Sequence, residues 1–250
     1  MVPGAEPAER PVTHRVRRVV TTREGGVSAP PYTSFNLGDH VGDDPKAVAA
    51  NRDRLAQQLG LPRDRLVFME QIHGRNVVVV DGPQDGPVEA TDALVTTTPD
   101  LALVALAADC VPVLLSDDEA GVIAAAHAGR VGARIGIVPR VLDIMVAQGA
   151  RLDRIGVLLG PAASGRRYEV PAAMRADVEA HLPGSATTTA KGTPGLDLRA
   201  GLRRQLLEAG VGAVAVDPRC TIEDASLFSH RRGAPTGRLA GVIWLDSTRA

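Results

Sequence analysis

The chain has 250 residues, 44% hydrophobic and 23% charged, with a net charge of -1, the profile of a soluble globular protein able to bury a sizeable core. Near-neutral charge gives no reason to expect nucleic acid or an anionic membrane as partner, and 2% aromatics leave little for stacking single-stranded bases. Two distant cysteines, Cys110 and Cys220, make no disulfide framework and suit a cytoplasmic protein.

In chain order, residues 1–15, rich in Pro, Ala and charge, read as a mobile tail that lacks the apolar segment of a signal peptide. Residues 16–250 read as one domain, because no repeat or linker divides them. DDPKAVAANRDRLAQQLG predicts a helix with Pro45 in its first turn and Gly60 as its stop. RLVFMEQIHGRNVVVVD predicts two strands around a tight connection at HGRN, with His73 at a strand end. LALVALAADCVPVLLSDDEAGVIAAAH is the most strand-like stretch; its apolar run is broken by Asp109 and too short to span a bilayer. RIGIVPRVLDIMVAQGA and PGLDLRAGLRRQLLEAGV predict helices, the second capped by Asp197 and stopped at Gly210. PGSATTTAKGTPG and RRGAPTGR read as loops. Strands in neighbouring pairs favour a layered α+β fold over a doubly wound sheet.

The strand-like stretch also carries chemistry. If DDEAG turns the chain about Asp118 and Glu119, Cys110 and His127 stand directly opposite, with Cβ atoms roughly 4.5–5.5 Å apart. A turn centred one residue later leaves them diagonal neighbours. Pro112 fits an edge strand or a strand start. Such a pair suits two ligands of one metal, or a nucleophile with its base, or merely a core histidine beside a small buried thiol. His73 adds little by spacing alone, and no CxxC or HExxH is present. The segments TREGG and SFNLGDH are turns that could line a pocket, and Arg23, Arg52, Arg231 and Arg232 are candidate anion holders, although scattered arginines mostly solvate surfaces.

Taken together, TREGGVS, SFNLGDHVGDD, NRDRLA, QIHG, TDALVT, AADCVPVLL, HAG, LGPA, YEV, CTIED, FSHRR and TGRLAGVIWL resemble, in order, the YfiH-like laccase-domain family, whose members are labelled multicopper polyphenol oxidases and purine nucleoside phosphorylases. The resemblance covers about Val19 to Leu245. It implies a single α+β domain of four layers, α/β/β/α, with two mixed sheets. It also implies a metal site of His73, Cys110 and His127, holding zinc in preference to copper. Three protein ligands leave a position open, as in catalytic zinc sites. The implied activity is phosphorolysis of adenosine, inosine, guanosine or methylthioadenosine, with adenosine deamination as a companion, in a monomer or homodimer. Arg23, Asn36, Arg52 and Arg231 are candidates to bind nucleoside and phosphate, and Asp109 to orient groups or handle a proton. Two departures bear on substrate preference. HAGRVG places Arg130 and Val131 where the family reads Trp and Arg, and Arg166 and Arg167 stand where a cysteine is common. The rival readings are a cysteine hydrolase of peptidoglycan-precursor editing, with Cys110 as nucleophile and His127 as base, and a copper polyphenol oxidase, for which six histidines are few.

Overall fold

Leu103 and Ala105 point to one side of their strand and Ala102, Val104 and Leu106 to the other, yet all five are buried. A strand covered on both faces belongs in the middle of a layered structure. The computed structural model, which describes residues 14–247, shows the layers. One sheet runs in the order β1 (Arg15–Val20), β12 (Leu239–Asp246), β5 (Ala102–Ala107), β2 (Leu66–Val67). The second runs β11 (Ala213–Val216), β8 (Gly156–Leu159), β6 (Val111–Asp117), β7 (Val122–Ala128), β4 (Ala93–Thr96), β3 (Val77–Val79). Both are mixed: β2 lies parallel to β5, and β3 and β11 parallel to β4 and β8, among otherwise antiparallel pairs.

Three apolar clusters hold the layers together. Leu103, Ala105 and Ile243 of the first sheet meet Leu94, Leu114, Ile123 and Ala125 of the second in the inter-sheet core. On the outer face of the first sheet, α1 (Pro45–Leu59) lays Leu55 and Ala56 against Val104, Leu106 and Val242. On the outer face of the second, α3 (Ile137–Ala147), α4 (Ala172–His181) and α5 (Leu198–Glu208) bury Val141, Met145, Val178, Leu202 and Leu206 against Val113, Leu115 and Ala124. The architecture is the α/β/β/α arrangement that the resemblance implies. The tail expected over 1–15 lies almost wholly outside the described residues, and β1 starts at Arg15.

The capping chemistry is as read. Asp44 accepts the Lys46 amide at 2.9 Å, Gly60 closes α1 at φ +72°, and Asp197 accepts the Ala200 amide at 3.0 Å at the start of α5. Three local expectations are corrected. The chain does not turn tightly at HGRN; nine residues, 68–76, separate β2 from β3, and the two strands join different sheets. PGSATTTAKGTPG is not all loop, because β9 (Ala186–Thr188) and β10 (Pro194–Leu196) pair there, closed by the Thr189–Thr193 hydroxyl bond of 2.6 Å. The β6–β7 turn is centred one residue later than Asp118–Glu119, since the Asp117 carboxylate accepts the amides of Glu119 (3.1 Å) and Ala120 (3.0 Å) and Gly121 takes φ +65°. His127 therefore opposes Pro112, and Cys110 is its diagonal neighbour.

Candidate metal centre and cleft

Diagonal placement still brings the two side chains together. Cys110 sits one residue before β6 and His127 one residue before the end of β7, and the loop after β2 brings in His73. Donor atoms of the three lie within 4.8 Å of one another, and Cys110 Sγ is 4.0 Å from His73 Nε2. The imidazole rings of His73 and His127 stand edge to face, 4.8 Å between centroids.

A buried carboxylate holds this arrangement. Asp92, wholly enclosed, bonds His127 Nδ1 at 2.9 Å and accepts the main-chain amides of Ile72 (3.3 Å), His73 (3.0 Å) and Gly74 (2.6 Å). Its own carbonyl takes the His127 amide at 2.8 Å. One side chain thus orients one ring and pins the loop that carries the other, with His73 in the left-handed region at φ +59°. Gln71 fixes the same loop to the end of β5 by a pair of hydrogen bonds to the Leu106 main chain, 2.9 Å as donor and 2.8 Å as acceptor. Burial would raise the Asp92 carboxyl, but the His127 bond and the Gly74 and His73 amides hold it below its ordinary range. Burial would likewise raise the Cys110 thiol; the charge and hydrogen bond of His127, with those of His73, draw it down to about 6. His127, which burial alone would push down, is raised to about 9 by Cys110 and Asp92.

The donor set fits a metal of zinc type: one thiolate and two imidazoles, one imidazole backed by a carboxylate, the usual outer support of a metal-bound histidine. Ligand bonds of about 2.0–2.3 Å at tetrahedral angles set two donors about 3.3–3.6 Å apart on one zinc, so a trio whose donors lie within 4.8 Å of one another closes on the ion by side-chain shifts of up to about 1 Å. Among the described residues, this is the one group of three His, Cys or carboxylate donors within such reach of one another. Space is reserved by Gly129, whose φ of -73° any residue could adopt. A Cβ there would lie 2.9 Å from His73 Cδ2 and 3.1 Å from Cys110 Sγ. Gly129→Ala is therefore expected to spread the trio, weakening any metal binding there and lowering stability by roughly 1–3 kcal/mol. Zinc stoichiometry and denaturant midpoints of the variant check this, and an unchanged metal content refutes it.

The trio lines a cleft of about 280 Å³. Its other walls carry His40, Arg130, Tyr168, His230, Arg231 and Arg238. Asp109, next to Cys110 in the chain and at φ +91°, ties two loops to the cleft: it accepts the hydroxyls of Thr221 (2.6 Å) and Ser229 (2.7 Å) and the Arg231 amide (2.7 Å). Arg231 stacks on Tyr168, 4.7 Å to the ring centroid.

The other candidate substrate residues lie elsewhere. Arg52 is buried outside the cleft lining, over the Phe68 ring at 4.0 Å, bonded to the Leu37 carbonyl at 2.9 Å and paired with Asp39 at 3.0 Å. Asn36 is fully buried and accepts the Arg238 amide at 2.8 Å, so it stands behind the wall rather than in it. Arg23 bonds the Thr33 carbonyl at 2.7 Å and lines a separate surface cleft with Pro31, Ser229 and Arg232. Arg167 faces Glu223 at 3.6 Å. Sequence reasoning passed over Asp92, Gln71, Tyr168, His230 and Arg238. The carboxylate beside the strand in TDALVT was a usable signal for Asp92, whereas the others come from loops without periodicity.

Comparison with known proteins extends this picture. A family model described as multi-copper polyphenol oxidoreductase laccase matches residues 17–246. A purine nucleoside phosphorylase of Mycobacterium tuberculosis is 61% identical over 235 residues, 94% of each chain. One of Corynebacterium glutamicum is 63% identical over 242 residues, covering 96% of this chain and 97% of that one. Among solved structures, the hypothetical protein YfiH of Bacillus licheniformis superposes with a TM-score of 0.85 at 32% identity, over 92% of this chain and 93% of that chain. YlmD of Geobacillus stearothermophilus does so with 0.85 at 35%, over 93% and 92%.

Proposed function

This chain belongs to the multi-copper polyphenol oxidoreductase laccase family, and on that premise we propose that it is a zinc-dependent purine nucleoside phosphorylase. The observation that carries the reading is the single cleft that joins the His73–Cys110–His127 trio to a wall bearing three arginines. Phosphorolysis needs those two facilities together. An oxygen of hydrogen phosphate bonds to C1′ of the ribose as the C1′–N9 bond breaks. The bonding pair leaves on the purine, which takes up the proton of the phosphate, and free base and ribose 1-phosphate result.

Each residue has a part in this scheme. Arg231 and Arg238 supply positive charge where phosphate enters and exclude cationic ligands. Tyr168, with Arg231 on its face, offers a flat surface to the base or ribose. Asp109 positions Arg231 through its main chain, and Asp92 sets the ring of His127. When bound by His73, Cys110 and His127, zinc supplies a Lewis acid to polarise an oxygen in the cleft. Inosine, guanosine, adenosine and methylthioadenosine are the proposed substrates, with adenosine deamination as a companion reaction. Multicopper oxidase chemistry requires several coppers, whereas the described residues bring together one three-ligand group.

One observation favours a second reading. A thiol at about 6 beside an imidazole at about 9 is the pattern of a cysteine nucleophile and its base. The deciding experiment is a nucleoside panel run with and without phosphate, following free base and ribose 1-phosphate by chromatography. Base release that requires phosphate is expected. Equal release without phosphate, or none at all, overturns the phosphorylase reading.

A further inference from the structure

The three arginines of the cleft are not equivalent. Arg231 donates Nη1 to the Glu169 carbonyl at 3.2 Å and lies on Tyr168. Arg238 donates Nη1 to the carbonyls of Thr236 (2.9 Å) and Gly237 (3.1 Å). The Arg130 side chain makes no hydrogen bond and no ion pair among the described residues, although the residue is half-buried in the cleft wall. Its charge is felt at Asp177, but Arg134 already holds that carboxylate, with Nη2 at 2.7 Å. Nor does the cleft hold a carboxylate to neutralise it. Asp109, the acidic residue of the lining, is taken up by Thr221, Ser229 and the Arg231 amide. Arg130 also follows Gly129, the residue on which the trio closes.

An uncommitted guanidinium, on a half-buried residue next to Gly129 and three positions beyond His127, is a poor arrangement for stability and a good one for a ligand that brings its own negative charge. The planar fork of five donors, with no acceptor, matches a tetrahedral oxyanion better than a neutral base or sugar. We propose that Arg130 grips orthophosphate and sets this chain's affinity for it, with Arg231 and Arg238 serving as fixed parts of the wall. The inference rests on the phosphorylase reading, which it deepens by assigning the phosphate subsite.

The test compares wild type with Arg130→Gln and Arg130→Lys, each checked for an unchanged melting transition. Orthophosphate is varied at saturating inosine, and inosine at saturating phosphate. For Arg130→Gln, KM for phosphate is expected to rise roughly 10- to 100-fold, the loss of one charge-assisted contact, with KM for inosine within about twofold of wild type. Arg130→Lys should recover part of the loss. An unchanged phosphate KM, or a larger rise in KM for inosine, overturns the assignment. Calorimetric titration with inorganic phosphate alone separates the two claims. If wild type binds phosphate more tightly than Arg130→Gln but releases no base, the phosphorylase reading falls and the Arg130 subsite stands. If the two bind phosphate equally, the subsite falls whatever the activity.

Discussion

On the zinc phosphorylase reading, Cys110→Ala is expected to lose bound zinc and phosphorolysis together. Removing a partner that merely orients a ligand costs roughly 10–100-fold in metal affinity or activity, so loss of the thiolate itself should exceed that range. Metal analysis after gel filtration and kcat/KM on inosine check the two losses in one preparation. Cys110→Asp and Cys110→His should keep some metal, because both side chains ligate zinc. The nucleophile reading makes the opposite forecast for wild type: alkylation would end activity with no metal present, and chelation would leave it intact. Full activity in a verified metal-free preparation sinks the metal account. Loss on chelation with recovery on zinc add-back sinks the nucleophile.

Asp92→Asn should do nearly as much damage without touching a ligand. The carboxylate accepts from His127 and three main-chain amides. An asparagine oxygen can still serve His127 and His73, but its NH2 then faces the amides of Gly74 and Ile72, donor against donor. The QIHG loop loses its tether and His127 its charged partner. Zinc affinity or activity is expected to fall roughly 10–100-fold, and the buried donors left unpaired should cost about 1–3 kcal/mol of stability. A zinc titration and a denaturant melt read these separately. A variant with wild-type values for both would show that Asp92 is not the support of the centre.

What could be read from the chain follows from how local the causes are. The approach of Cys110 to His127 was legible because a hairpin obeys simple geometry; the turn centre moved by one residue, and the pairing by two, because Asp117, not the two turn residues, decides where the turn starts. The slip changed direct opposition into a diagonal without parting the side chains. His73 could be placed only by resemblance, since its position depends on Asp92 and Gln71 reaching across from other segments. Arg52 and Asn36 show the opposite failure. Their residue types suit anion and sugar, but backbone carbonyls and an amide claim them in the interior. Tyr168, His230 and Arg238 sit on loops that no periodicity marks, and only the tertiary fold brings them to the cleft.

The order of strands in the first sheet has a consequence for how the molecule comes into being. β12 lies between β1 and β5, and the Arg17–Asp246 bond that ties β1 to it closes a separation of 229 residues. Contacts so distant in sequence form late, after their closure entropy has been offset by other structure. The β6–β7 hairpin, by contrast, closes within a few residues, and Asp92, Cys110 and His127 are all translated before residue 130. The wall bearing His230, Arg231 and Arg238 leads directly into β12. On a ribosome, then, the half of the centre that would hold a metal is assembled from early, short-range pairings. The half that would meet a nucleoside waits for the last strand to slot between two that were made long before it.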